Sequence, residues 1–420
     1  MTPGFKPSRT PRRRTSRPRI ALALAGGGPL GAIYEIGALC ALDDCLTGLD
    51  LNACEHYVGV SAGGFIAAGL ANGMTPRQLC TAFIEDLPNE ENFDPSWLLR
   101  PAWGEFGQRL QRMPALLGRA LWAWGAQGQS LAHAFERLGG ALPTGVLDND
   151  GIHRHLAQLF SQNGRSNDFR QLRARLTLVA TQLDTGEAAP FGQPGWDHVP
   201  ISRAIQASAA LPGLFPPVCI DGRHYVDGAL KKTVHATVAL DEGVDLLLCL
   251  NPLVPFHARS SDGAAPGIPA LVEGGLPAVM SQTFRSMIHS RLALGLKHYE
   301  RAYPDTDIVL IEPDQRDATL FFANTFSYRQ RRRMAEHAYQ QTRRMLRERA
   351  PILAAQLARH GIGLDLTAAS DERQLLGASR PATTARPVAR LHATLDRLER
   401  QLRQHPTPQP RSPRAAARPR

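Results

Sequence analysis

The sequence has no run of about 18 consecutive apolar residues, the length a membrane-spanning helix needs. Its six cysteines (Cys40, Cys45, Cys54, Cys80, Cys219 and Cys249) include no CxxC pair and no zinc-like spacing. That argues against a metal site or a disulfide framework and for reduced, buried thiols in a cytoplasmic protein. Acidic residues are missing from both ends. Residues 1–20 hold seven Lys or Arg and residues 404–420 hold four Arg, with no Asp or Glu in either stretch. Those eleven charges exceed the net charge of +10, so the intervening body carries about −1. A uniformly basic, nucleic-acid-binding body is therefore excluded, and nucleic acid is not an expected partner. The basic tails suit anionic surfaces such as phospholipid head groups, and solvated disorder accounts for them equally well. Aromatic residues make up only 6% of the chain, yet Trp97, Trp103, Trp122 and Trp124 fall within 28 positions. No internal repeat is visible.

What is present is a chain of 420 residues, 43% hydrophobic, long enough for one large domain or two ordinary ones. Its most informative stretch is Tyr57-Val58-Gly59-Val60-Ser61-Ala62-Gly63-Gly64-Phe65. Apolar, β-branched residues lead into Gly-x-Ser-x-Gly, and an Ala/Gly-rich run leads out, which predicts strand, sharp turn, helix with Ser61 at the apex. The turn pushes the hydroxyl away from the sheet, and glycines flank it because a Cβ would clash in so tight a bend. The helix that follows offers free N–H groups to negative charge developing beside Ser61.

A second strand–loop–helix precedes it. Residues 20–25 read as a short buried strand rather than an export signal, although the Arg- and Ser/Thr-rich start also fits a targeting peptide. Gly26-Gly27-Gly28-Pro29-Leu30-Gly31 turns the chain into a helix carrying Ile33, Ile36, Leu39 and Leu42, so a βαβ unit closes at residues 57–60. Residues 26–31 also match the dinucleotide fingerprint. That reading needs an acid at the end of the second strand, and the nearest ones, Asp43, Asp44 and Asp50, fall on the helix or its exit loop. Successive glycines also let adjacent N–H groups approach a bound oxygen with no side chain in the way, as an oxyanion hole requires.

Further along, residues 72–150 are Trp- and Arg-rich with broken helical boundaries, as a packed helical insert or a lipid-touching cap would be. Strands are expected at 176–180 and 188–191, a helix at 201–211, a hairpin over 218–227 turned at Asp221-Gly222, and last strands at 244–250 and 308–311. Residues 253–277 read as loop, and 281–299 and 328–360 as long helices. The second long helix carries an arginine-rich face expected to be solvated. Beyond residue 366 the chain is polar and Arg/Pro-rich, with one amphipathic helix at 388–402.

Serine needs a base to take its proton. Asp227 closes a short apolar strand, and Gly228-Ala229 after it allow another segment to come close; taken alone, an Asp-Gly is also an ordinary turn. Together, in order, four stretches resemble the patatin-like phospholipase family: Gly26-Gly27-Gly28-Pro29-Leu30-Gly31, Gly59-Val60-Ser61-Ala62-Gly63, Ala207-Ser208-Ala209-Ala210-Leu211-Pro212-Gly213-Leu214-Phe215-Pro216-Pro217, and Val226-Asp227-Gly228-Ala229. The resemblance spans residues 19–235. It implies a Ser61–Asp227 dyad without histidine, an oxyanion hole from the amides of Gly26, Gly27, Gly28 and Ala62, motif support from Gly31, Gly59, Gly63, Gly228 and Ala229, and no metal or other cofactor. It departs from the family at Leu30, where a basic residue is frequent, and at Leu230-Lys231-Lys232-Thr233, in place of an Asn-x-Pro-like segment. A Ser–Asp–His triad with His235, His289 or His298 is the alternative within the same chemistry.

The expected fold is α/β, a three-layer arrangement with a mainly parallel central sheet flanked by helices and a helical C-terminal extension. The expected organisation is a basic tail (1–18), a catalytic domain (19–250) containing the 72–150 insert, a mostly helical extension (251–365) and an Arg/Pro-rich tail (366–420). The expected activity is hydrolysis of lipid acyl esters met at a membrane surface, by a cytoplasmic or peripheral protein. A lipid-binding or regulatory protein with an idle site is the alternative from another class.

Overall fold

The apolar run at residues 20–25 forms β1 (Ile20–Leu24), and the glycine loop after it opens into α1 (Gly28–Cys45). β2 (His56–Val60), α2 (Ala62–Ala71), α3 (Pro76–Phe83) and α4 (Asp150–Phe160) follow. Then come β3 (Arg175–Gln182), β4 (Ala188–Phe191), α5 (Ile201–Ser208), β5 (Val218–Ile220), β6 (Arg223–Asp227) and β7 (Leu246–Leu250). The C-terminal part adds α6 (Gly275–Ala302), β8 (Asp307–Ile311), α7 (Tyr328–Glu348) and α8 (Ala350–Ala358). The structure is a computed structural model that describes residues 17–85, 100–104, 107, 111, 113–114, 143–162, 164–257, 259–260, 263–264, 271–321 and 328–376. The chain divides into two units, residues 1–375 and 376–420, and all the elements named here belong to the first.

The eight strands form one sheet in the order β8-β7-β1-β2-β3-β6-β5, with β4 antiparallel on β3. From β8 to β3 every pairing is parallel; β6 and β5 return antiparallel. Parallel strands are covered on both faces, which is why IALAL, HYVGV and LLLCL read as continuous apolar runs rather than alternating ones. Alternation appears instead in what each side chain meets. Ala21, Ala23, Val58, Val60, Leu247 and Cys249 pack in one cluster with Ile288, Leu292 and Tyr299 of α6. Leu22 and Leu24 point to the opposite layer, where α1 and α2 lie. α1 is apolar around most of its circumference because α7 covers its outer side. A Cβ on Gly37 would lie 2.5 Å from the carbonyl oxygen of Ala335 and 2.9 Å from the Cβ of Ala338.

Register sets the level of the sheet's working edge. Leu24 lies opposite both Gly59 and Leu250, Val60 opposite Val179, and Ala180 opposite Asp227. The chain leaving β1, the chain leaving β2 and the end of β6 therefore arrive side by side.

The α/β fold, the mainly parallel sheet and the helical C-terminal part agree with expectation, and several boundaries differ. The helix expected over 201–211 ends at Ser208, ahead of Pro212. The helix expected over 281–299 begins at Gly275, so the loop before it is shorter than read. The single helix expected over 328–360 is two, broken at Arg349 where Pro351 has no N–H to continue the ladder. Short strand pairs, Leu46–Thr47 with Gly363–Leu364 and Arg259–Ser260 with Gly263–Ala264, add to those expected. The arginine-rich face is not uniformly solvated. Arg343 is buried and donates to the carbonyl oxygens of Ala368, Asp371 and Arg373, fastening the chain beyond α8. Five cysteines are buried and Cys219 is exposed, all of them free thiols. The basic tails, the 388–402 helix and most of the Trp-rich stretch lie outside the described residues.

The α1–α7 contact is close enough to test by adding one methyl group. Gly37→Ala is expected to lower stability by about 1–3 kcal/mol, because backbone rather than a flexible side chain must move. An unchanged denaturant midpoint would show that the two helices do not meet this tightly.

Candidate active site

Ser61 sits where β2 ends and α2 begins, with φ 52° and ψ −123°, a conformation L-residues seldom adopt. Such a residue stores about 1–3 kcal/mol and persists only if its surroundings hold it. Three contacts do so. The Ser61 N–H donates to Ser208 Oγ at 2.8 Å, and Ser208 Oγ donates in turn to Val179 O at 2.6 Å. The Gly63 N–H donates to Ala25 O at 3.1 Å, tying the elbow to the end of β1. Glycine is required on both sides. A Cβ on Gly59 would lie 2.6 Å from Gly64 Cα, and one on Gly63 would lie 2.5 Å from the carbonyl oxygens of Leu24 and Ala25.

Asp227 ends β6 and caps a short 3-10 turn, Gly228–Leu230. Its carboxylate accepts from the Ala229 N–H at 2.8 Å and lies near enough to the Ser61 hydroxyl to be influenced by it. The backbone beneath it is pinned by Asp227 N–H to Ala210 O at 3.0 Å and by Thr181 Oγ1 to Asp227 O at 3.2 Å. The close approach needs Gly228, whose Cβ would lie 2.1 Å from Val179 O. Burial pushes the Asp227 carboxyl up to about 6, with the nearby Ser61 hydroxyl and the Ala229 N–H pulling the other way. Desolvation raises basicity in this way whenever the lost hydration is only partly replaced.

The glycine loop closes the third side. A Cβ on Gly26 would lie 2.9 Å from Ser61 Cβ and 3.3 Å from Ala229 Cβ, so only glycine lets the loop touch both. Pro252, just past β7, presses on Gly27 and Gly31, where added Cβ atoms would lie 2.8 and 3.0 Å from its ring. Gly28 has φ 60° and open space around it. The N–H groups of Gly26, Gly27, Gly28 and Ala62 have no acceptor among the described residues, whereas Gly31 and Gly63 donate to Gly27 O and Ala25 O. Two helices, α1 and α2, thus begin beside one hydroxyl with uncapped first turns, an environment that favours negative charge.

The alternatives weaken on geometry. His235, the nearest candidate for a triad, is buried and directs Nε2 to Gly228 O at 3.2 Å rather than to the carboxylate; burial pushes it down to about 4. His289 faces Glu312 and Gln315. For a dinucleotide, Asp44 is held by Arg77 at 2.7 Å and by the Tyr339 hydroxyl, and the second strand ends at Ser61. Among the described residues no three His, Cys, Asp or Glu are grouped as metal ligands would be. A cavity of about 610 Å³ lies beside α5, between Arg100, Trp103, Asp150, Arg203 and Cys219; neither Ser61 nor Asp227 lines it.

Two contributors escaped the sequence reading. Ser208 lies inside a quoted motif, but nothing local marks its hydroxyl as the acceptor for Ser61. Pro252 stands far from the glycine loop in sequence and reaches it only through the β1–β7 pairing.

A family model described as patatin-like phospholipase matches residues 22–240. Among solved structures, VipD from Legionella pneumophila is similar over 79% of this chain and 67% of that one, at 17% identity and a TM-score of 0.37. The type III effector ExoU is similar over 79% of this chain and 53% of its own, at 16% identity and a TM-score of 0.33. The ExoU–SpcU complex from Pseudomonas aeruginosa gives 19% identity, 82% and 61% coverage and a TM-score of 0.25. The chain spans about half to two thirds of the length of these proteins.

Two stability measurements probe this geometry. Ser208→Ala leaves the Ser61 N–H and Val179 O without their shared hydroxyl and is expected to cost about 1–3 kcal/mol. Asp227→Asn is expected to act oppositely. Asp227 holds its proton more tightly folded than unfolded, so its contribution is fully present below about pH 4 and is lost as pH rises through about 6. At neutral pH the asparagine variant should therefore be more stable by up to about 3 kcal/mol, with the gain vanishing in acid. A thermal melt showing no gain at neutral pH would contradict a desolvated carboxylate.

Proposed function

The chain belongs to the patatin-like phospholipase family, and from that premise we propose that it cleaves fatty-acyl esters of phospholipids or other glycerolipids, as a phospholipase A-type hydrolase, with Ser61 and Asp227 as its dyad. Family membership supports lipid acyl hydrolysis in general. The observation that carries the finer reading is the convergence of Ser61 with the buried Asp227 segment, packed so closely that a Cβ on Gly26 would lie 2.9 Å from Ser61 Cβ and 3.3 Å from Ala229 Cβ.

In the first half-reaction Ser61 Oγ attacks the ester carbonyl carbon while its proton passes to the Asp227 carboxylate. The carbonyl oxygen takes up the negative charge, and the N–H groups of Gly27 and Gly28, with Gly26 and Ala62, serve as its donors; their lack of an acceptor among the described residues supports this. Collapse of the tetrahedral species breaks the C–O bond to the lysolipid, which leaves with the proton from Asp227. Water then attacks the acyl-enzyme, Asp227 again takes and returns the proton, and the fatty acid departs. A carboxylate with an ordinary pKa would be a feeble base for a hydroxyl; one lifted to about 6 is stronger and still mostly ionised at neutral pH.

Apolar surface next to the dyad supports a fatty-acyl substrate. Leu211 and Leu214 follow Ala210, whose carbonyl holds the Asp227 N–H, and both are partly exposed. Val146, from the segment hydrogen-bonded to that loop, extends the same lip.

The test is fluorophosphonate labelling together with fatty-acid release from mixed phospholipid vesicles. The wild type is expected to label and to release fatty acid, and Ser61→Ala and Asp227→Asn to lose both by at least about a hundredfold. Hydrolysis should fall as pH drops below about 6, when Asp227 is protonated and no longer accepts the serine proton. Full activity in Ser61→Ala, or a rate indifferent to pH across that range, would overturn the dyad.

A further inference from the structure

We infer that α6 is a membrane-docking helix whose outer face sits in the interface of an anionic lipid bilayer and presents the Ser61 site to it. This rests on reading the site as a lipid acyl hydrolase.

The helix has two faces of different fate. Ile288, Leu292 and Tyr299 are buried against the sheet. On the other side Leu276, Met280, Met287 and Leu294 are 74, 43, 45 and 67% exposed. Offsets of four, eleven and eighteen residues place all four within about 40° of one line at 100° per residue. Val279 flanks the line, and Val272, 72% exposed, extends it into the turn before the helix. A soluble surface normally scatters its exposed apolar side chains; a row along several helical turns marks a contact surface.

Charge selects lipid as the occupant. Residues 274–299 contain no Asp or Glu, while Arg291 and Lys297 are exposed along the helix and Glu300 and Arg301 close it. An apolar stripe edged by cations, with acids only at its two ends, Glu273 and Glu300, matches acyl chains below and anionic head groups above. Leucine and methionine also suit a fluid surface, because they adapt their shape to it. No described helix is long and apolar enough to cross a membrane, so α6 lies on the surface.

Position links this face to the chemistry. Arg291 Nη1 donates to Leu230 O at 2.7 Å, and Thr233 Oγ1 donates to Ile288 O at 3.1 Å. Both bonds fasten α6 to the segment that directly follows Asp227-Gly228-Ala229, where Lys231 and Lys232 are also exposed. A helix seated in head groups would thus hold the dyad's own loop against the lipid.

The test compares the full-length wild type with Leu276→Glu combined with Met280→Glu. Three readouts are needed: flotation with vesicles of equimolar phosphatidylcholine and phosphatidylglycerol, fatty-acid release from them, and hydrolysis of a monomeric short-chain nitrophenyl ester. The double variant should lose about tenfold or more in vesicle binding and in release, with the soluble ester rate and melting temperature unchanged. Vesicle binding equal to wild type would overturn the proposal. So would binding that survives in the variant but disappears when residues 1–16 are removed, or a wild-type dimer that the variant converts to monomer with vesicle binding intact. If the wild type hydrolyses no ester at all, the reading of the site fails, while the flotation result still decides whether α6 meets lipid.

Discussion

The meeting of the Ser61 elbow with the buried carboxyl of Asp227 is the constraint on which the surrounding structure depends. Neither member is comfortable on its own. Ser61 stands in a left-handed conformation, and Asp227 keeps an ionisable group where water does not reach. Each strain is offset by neighbours, most of them from other segments: Ala25 and Ser208 for the serine, Ala229, Ala210 and Thr181 for the aspartate. The sheet register makes those neighbours available, because it brings the ends of β1, β2 and β6 to one level. A single-residue slip between β2 and β3 would separate the pair by more than a hydrogen bond can span.

Glycine does a different task at each place. At Gly59, Gly63 and Gly228 it lets backbone meet backbone, at Gly26 it lets the loop touch the serine, and at Gly28 it allows a positive φ beside open space. Only the last two kinds bear on the proposed chemistry; the others bring the segments of the site close together. The site is therefore rigid where it is built and open where a substrate oxygen would arrive.

Much of this was legible because the signals are local. Buried parallel strands read as apolar runs, the elbow as Gly-x-Ser-x-Gly between a strand and a helix, and the hairpin as Asp221-Gly222, both of which take positive φ. What stayed hidden depends on contacts between distant segments. Ser208 and Pro252 look like ordinary residues until the sheet places them against Ser61 and Gly27. Arg343 reads as one of several surface arginines, yet it is buried because the chain after α8 folds back over it. The start of α6 was missed because glycine and proline at 274–277 argue for loop, and one face of the helix has no packing partner to impose a period.

The most direct measurement of the central claim is an infrared titration of the Asp227 carboxyl, taken as wild type minus Asp227→Asn and repeated in Ser61→Ala. A protonated-carboxyl band is expected to appear as pH falls through about 6 in the wild type. Without the serine hydroxyl, which holds the value down, the same band should appear at higher pH. A carboxyl that titrates in the ordinary range near 4, or one indifferent to the loss of Ser61, would contradict the account.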